Sequence, residues 1–164
     1  MHYGLNGLTS GFRFSMSVKH EDVMRSLILV FITAVLLNYL WELAQAPLYV
    51  GMDSYNAGVL WHCFVATLGD GIMVLLIVTA GWITLRQPAW FLRPTLRGYF
   101  TMLTAGFVLA LVVEWIGVRV LERWKYTENM PMLPGLNIGL VPIAQMLLLP
   151  PLIFRIISYV SQEH

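Results

Sequence analysis

Three carboxylates sit inside stretches of this sequence that are otherwise apolar: Glu42 in "NYLWELAQ", Asp70 in "WHCFVATLGDG" and Glu114 in "LVVEWIG". His62 precedes Asp70 in the second stretch, and the amides Asn38, Gln45 and Gln145 have similar surroundings. Acids confined to a low-dielectric space with few cations cannot all stay ionised, so at least one of the three is expected to hold a proton at neutral pH. A protonated carboxyl next to an ionised one, or next to His62, is what general acid–base chemistry requires. Glu42 or Asp70 would be the acid. On an apolar substrate carrying an alkene, an epoxide or a polar head, the pair would suit isomerisation or cyclisation, as of an isoprenoid. Trp41, Trp115 and Trp124 would offer ring faces to cationic character.

Two other chemistries use the same residues. Glu42, His62, Asp70 and Glu114 would form a hard, carboxylate-rich metal set. The Glu-x-x-His pairs of a di-iron bundle are missing, however, and no metal or other cofactor is expected. Cys63 follows His62 directly, so on one helix the two point about 100° apart, which disfavours a thiol nucleophile and favours a packing role. No phosphate-cradling glycine loop, nucleotide fingerprint or haem motif occurs. A reading without chemistry also stands, because an Asn or Gln between membrane helices commonly acts as glue worth about 0.6 kcal/mol. The chain would then be a membrane assembly or transport component, and Gly135-x-x-x-Gly139 would support close helix contact, as in a homo-oligomer.

The elements that hold these residues follow from composition. The chain has 164 residues, 58% hydrophobic and 12% charged, against about 25% charged in a soluble domain. A net charge of +1 provides no field to recruit nucleic acid. The single cysteine rules out an internal disulfide. Apolar runs at residues 26–46, 59–85, 96–121 and 138–160 each reach the roughly 20 residues that cross a bilayer core. Lipid demands internally satisfied backbone groups, so the runs predict helices. The expected fold is an all-α, polytopic bundle of four transmembrane helices over residues 26–160. An interfacial, cytoplasmic tail (1–25) and a short C-terminal tail (161–164) flank it, with no cleavable signal peptide. Pro150 and Pro151 interrupt the fourth run.

On the first helix Asn38, Glu42 and Gln45 fall within about 60° of one another and form one polar wall, joined by Ala46 and Tyr49. Counted from the outer end, Glu42, Glu114, Gln145 and Asp70 lie roughly 7–17 Å deep. The fourth helix would supply Asn137, at its outer start, and Gln145. The other halves of the helices are apolar apart from scattered Thr and Ser. The expectation is one polar chamber in the outer half of the bundle, sealed at its inner end. The loop from Trp124 to Gly135, with Tyr126, would cover its mouth. Arg13, Lys19 and Arg25 precede the first helix, Arg86, Arg93 and Arg97 fill the second loop, the first loop has no basic residue, and the third has Arg119, Arg123 and Lys125 beside Glu122 and Glu128, a count of six against three. The positive-inside rule then places both termini in the cytoplasm of a cell with the chain in its inner membrane. Trp61, Trp82, Trp90 and Trp124 fall near helix ends, where an aromatic belt would account for them. The two halves look alike: a helix with a carboxylate near its outer end, a loop rich in Pro, Tyr, Met and Gly, and a returning helix.

The segments "LWELAQAPLY", "WHC..ATLGDG" and "ERWKYTENMPMLPGLNIGLVPIAQMLLLPP" resemble a family of bacterial inner-membrane proteins with WE-x-x-Q-x-PLY, HC-x-x-x-x-x-GD and W-x-Y-x-x-x-MP segments. That resemblance implies the four-helix fold and brings no activity. More distantly, Trp41-Glu42 is similar to the Trp-Glu placement in integral-membrane terpene cyclases, in which helix acids protonate an isoprenoid. It implies an apolar substrate. The leading expectation is therefore a membrane lipid or isoprenoid-like ligand, with Glu42, Asp70, Glu114 and His62 as catalytic candidates. Asn38, Trp41, Gln45, Trp115, Trp124, Tyr126 and Gln145 would make the binding contacts.

Overall fold

The computed structural model describes residues 20–161. Most of the expected N-terminal tail, with Arg13 and Lys19 of the charge count, lies outside them, as do residues 162–164. The described chain is an all-α bundle of four helices: α1 (His20–Gln45), α2 (Ala57–Leu85), α3 (Leu96–Trp115) and α4 (Leu140–Val160). All four are long and apolar enough to cross a membrane, with mean hydropathy between 1.9 and 2.1. The chain is a multi-pass membrane protein. Each helix packs against its sequence neighbours, and α4 closes the ring against α1.

Helix ends are set by local chemistry. The Asn56 carboxamide accepts from the backbone N–H groups of Gly58 and Val59 and so caps the start of α2. Thr95 caps α3 through Gly98. Arg86 ends α2 in the left-handed conformation, at φ 55°. At the other end of the bundle α1 tightens into a 3₁₀ turn, Ala46–Leu48, and α3 widens into a π-turn, Ile116–Val120.

Two expectations are corrected. Pro150 and Pro151 do not break the fourth helix, which runs unbroken to Val160. A proline at 150 removes the N–H that would bond the Met146 carbonyl. Gly106 of α3 packs directly on that oxygen, and a Cβ built at Gly106 would stand 2.5 Å from it. A close Cα approach thus covers the freed acceptor. The fourth run also starts later than residue 138. Ile138–Gly139 (β2) instead pairs antiparallel with Met132–Leu133 (β1) in a short hairpin. Gly135 and Asn137 supply the positive φ of its turn, at 84° and 51°. Asn137 is therefore an exposed turn residue, and Gly135-x-x-x-Gly139 is hairpin rather than helix, so it makes no helix–helix contact.

The end of the bundle that carries the α2–α3 loop is solid. Trp90 and Phe91 of that loop are buried against Phe154 of α4, with ring centroids 5.6 and 5.9 Å away. The Trp90 indole N–H donates to the Val78 carbonyl at 2.9 Å, and its ring covers Gly81, where any Cβ would overlap it. Trp90 is thus a plug and not a member of an interfacial belt. Trp61 and Trp82 are exposed, as a belt would require.

The Gly106–Met146 contact makes a prediction. Gly106→Ala forces a methyl against backbone that cannot give way, and should destabilise the bundle by about 1–3 kcal/mol. Thermal unfolding in detergent should show a lower midpoint for this variant than for the control Leu103→Ala, at an exposed position of the same helix.

Candidate functional site

The 26 residues of α1 and 29 of α2 bring Glu42 and Asp70 to a common level. There α4 contributes Gln145 between them. Its Nε2 lies 2.8 Å from Asn38 Oδ1, 3.0 Å from Asp70 Oδ2 and 3.2 Å from Glu42 Oε1. Gln45 adds a second amide, donating to Glu42 Oε1 at 2.7 Å and to Gln145 Oε1 at 3.3 Å. Trp41 holds Gln45 in turn, its indole N–H 3.2 Å from Gln45 Oε1. Asn38 spends its own N–H on the Ala34 carbonyl, at 2.8 Å. Gln145 thereby joins the Glu42 and Asp70 carboxyls through one amide nitrogen. Two acids gathered on one neutral amide are held at least cost when one of them carries a proton.

Glu114 belongs to a separate arrangement. The Trp124 indole N–H donates to its Oε2 at 3.3 Å, and the Tyr126 hydroxyl donates to the same oxygen. Both rings come from the loop after α3, and glycines make room for them. A Cβ at Gly117 would overlap the Trp124 ring, and one at Gly139 would come within 3.0 Å of the Tyr126 ring. The loop is fastened as well by backbone pairing between Tyr49 and Tyr126. Val50 N–H donates to Lys125 O and Thr127 N–H to Leu48 O, both at 2.9 Å. The segment expected to cover the chamber thus lies across it, joined to the loop after α1.

Between these two clusters is a cavity of about 340 Å³, lined by Glu42, Asp70, Glu114 and His62. All four catalytic candidates meet there, but not as one network. His62 stands exposed on the wall, outside the hydrogen bonds that join the acids. Among the described residues no three His, Cys, Asp or Glu side chains are grouped to hold a metal ion. Of the binding candidates, Gln45, Trp124 and Gln145 line the cavity. Asn38, Trp41 and Tyr126 stand behind it and orient those that do. Trp115 is not brought in. It is 51% exposed on the outside of α3, because it directly follows the inward-pointing Glu114.

Tyr49 and Arg123 also line the cavity, although neither is among the site residues that the sequence singles out. Tyr49 is legible there only as a member of the polar wall of α1. Arg123 follows the π-turn, whose extra residue per turn shifts everything after it, and no local pattern announces that. Cys63 lines the cavity too, with its thiol 3.8 Å from the Glu42 carbonyl. The remaining walls are largely apolar, including Met73, Ala110, Val113 and Met146.

Burial first, and then the charge of Glu114, push the phenols of Tyr49 and Tyr126 above the usual tyrosine value. Both stay neutral donors in ordinary buffers. A phenol whose value rises on folding favours the folded state below the unfolded value of 10.0. That contribution is lost as pH climbs through the folded value. A 295 nm titration should therefore leave at least two of the seven tyrosines un-ionised beyond the ordinary range while the fold holds. Tyr126→Phe should remove one of these late-ionising groups.

No protein-family model matches the chain, and no curated protein or solved structure is significantly similar to it.

Proposed function

We propose that this cavity binds a lipid or isoprenoid-like molecule and that Glu42 and Asp70 act on it as a general acid–base pair. The observation that carries the reading is that one amide, Gln145, holds the Glu42 carboxyl of α1 and the Asp70 carboxyl of α2 on the wall of a mainly apolar cavity. A structural ion-pair network would set acids against cations. Here Glu42 and Asp70 are set against neutral amides, an arrangement that retains a transferable proton. One carboxyl delivers its proton to an alkene carbon, and the partner carboxylate takes a proton from a neighbouring carbon. The double bond moves and the pair keeps its proton count. Trp124, on the cavity wall, offers its ring face to the positive charge in between. The resemblance to bacterial inner-membrane proteins, and the six basic residues before α1 and between α2 and α3 (Arg97 included) against three after α3, support an inner-membrane setting with cytoplasmic termini and the cavity in the outer leaflet.

Deuterium exchange tests this without knowledge of the natural substrate. The protein, reconstituted in vesicles with geranylgeraniol in heavy water, should place deuterium on the alkene. Glu42→Gln and Asp70→Asn keep an acceptor oxygen for the network but cannot pass a proton. Each should cut incorporation by about 10²-fold or more, with insertion and unfolding midpoint nearly unchanged. If either change instead disperses an oligomer or partner complex, the residues are assembly glue and the alternative, a non-catalytic membrane component, gains.

A further inference from the structure

The cavity has walls of unequal exposure. On α1, the 3₁₀ turn after it and α4, the lining residues Gln45, Ala46, Pro142, Gln145 and Met146 are buried and Glu42 is half-buried. Exposed lining occurs in two places only among the described residues. His62 and Arg123 mark the rim beneath the loops, while Val65 and Gly69 open the side of α2.

That side faces α3. Val65, Gly69 and Met73 recur at four-residue spacing on one stripe of α2, and Ala110 and Val113 of α3 complete the lining next to them. A Cβ at Gly69 would meet nothing within 4 Å. Gly69 lies twelve residues into α2, about 18 Å along the helix, and so falls within the hydrocarbon layer of a spanning segment. Its surroundings on the outer surface are apolar: Ile72, Leu76, Val108 and Val112 are about half exposed, at 55%, 47%, 50% and 48%. Water has no route there, but acyl and prenyl chains do.

We propose that the cavity opens sideways into the bilayer through a slot between α2 and α3 at Gly69, and that its ligand is a single unsaturated hydrocarbon chain taken from the membrane. The proposal rests on the lipid-binding reading above and adds the route and the shape of the ligand. The volume of about 340 Å³ is at the low end of the roughly 300–1,000 Å³ usual for ligand sites. It admits one chain and excludes a two-chain phospholipid. Asp70 follows Gly69 directly and is buried behind it. A chain passing Gly69 therefore brings a mid-chain double bond, rather than a headgroup, to the carboxyl pair.

Two measurements on the full-length protein in phosphatidylcholine vesicles decide the matter. A nitroxide attached through Gly69→Cys, in a Cys63→Ala background, should collide freely with oxygen, which dissolves in the bilayer, and rarely with a water-soluble nickel chelate. Preference for the chelate, or shielding from both, overturns the slot whatever the ligand is. Retention of radiolabelled geranylgeraniol by the purified protein should fall at least about tenfold in Gly69→Trp. It should be nearly unchanged in Leu36→Trp, at an exposed position of α1 away from the cavity. Equal retention by wild type and Gly69→Trp overturns sideways access while leaving the binding reading intact. No retention by any of the proteins overturns both.

Discussion

A single side-chain amide decides how this bundle is assembled. Gln145 Nε2 has two hydrogens and faces three acceptors, on Asn38, Glu42 and Asp70, so α4 is tied at one point to both α1 and α2. In lipid a polar group has no water to fall back on, and the cost of leaving one unpaired is several kcal/mol. Among the described residues no buried side-chain nitrogen or oxygen lacks a partner. Gln45 makes this possible. It relieves the excess demand on Gln145 by taking the nearer position to Glu42, at 2.7 Å, and is itself steadied by Trp41. The network fixes the rotation of α1, α2 and α4 together, because turning any one would strand a polar atom in hydrocarbon.

The aromatic residues solve a second problem, which is how to close a bundle at its ends. Three of those that do so rest on a glycine: Trp90 on Gly81, Trp124 on Gly117 and Tyr126 on Gly139. A flat ring laid on a helix or strand that lacks a Cβ approaches the backbone closely enough for its polar atom to reach a buried acceptor. At one end that acceptor is a backbone carbonyl, Val78, and the result is a dry plug. At the other it is the carboxyl of Glu114, and the result is a roof with a polar underside. The same device, with a different acceptor, gives the molecule its asymmetry.

The helices and the depth of the acids are legible in the sequence for one physical reason. Charges are so costly inside a spanning helix that Glu42, Asp70 and Glu114 have to face inward, and counting 1.5 Å per residue then places them at similar levels. What the sequence concealed was non-local. The backbone pairing of Tyr49 with Tyr126 joins loops separated by two helices, and nothing near either residue marks it. Gly135 and Gly139 have the spacing of a helix contact, yet Asn137 between them turns left-handed and the pair ends up in a hairpin. Trp90 is the same residue type as the exposed Trp61 and Trp82, and only the room over Gly81 separates plug from belt. The division of the acids into a Glu42–Asp70 pair and a lone Glu114 was equally hidden. It depends on donors that the roof supplies from far along the chain.

The fastening of the roof bears on how the cavity works. Two backbone hydrogen bonds tie the segment at Lys125–Thr127 to the loop after α1, and two side-chain donors anchor it to Glu114. All of these bonds would have to break for the roof to swing aside, and a lifted roof would leave the Glu114 carboxylate without either donor. The opposite end is filled by Trp90, Phe91 and Phe154. A through-pathway would need polar lining along the whole depth of the bundle, and the core around Val74, Ile77, Met102 and Ile153 has none. With the top strapped and the bottom packed, the cavity is a chamber rather than a pore. The hydrogen bonds that organise the site tie α1 and α2 to α4 and the roof to α3, and none of them joins α2 to α3.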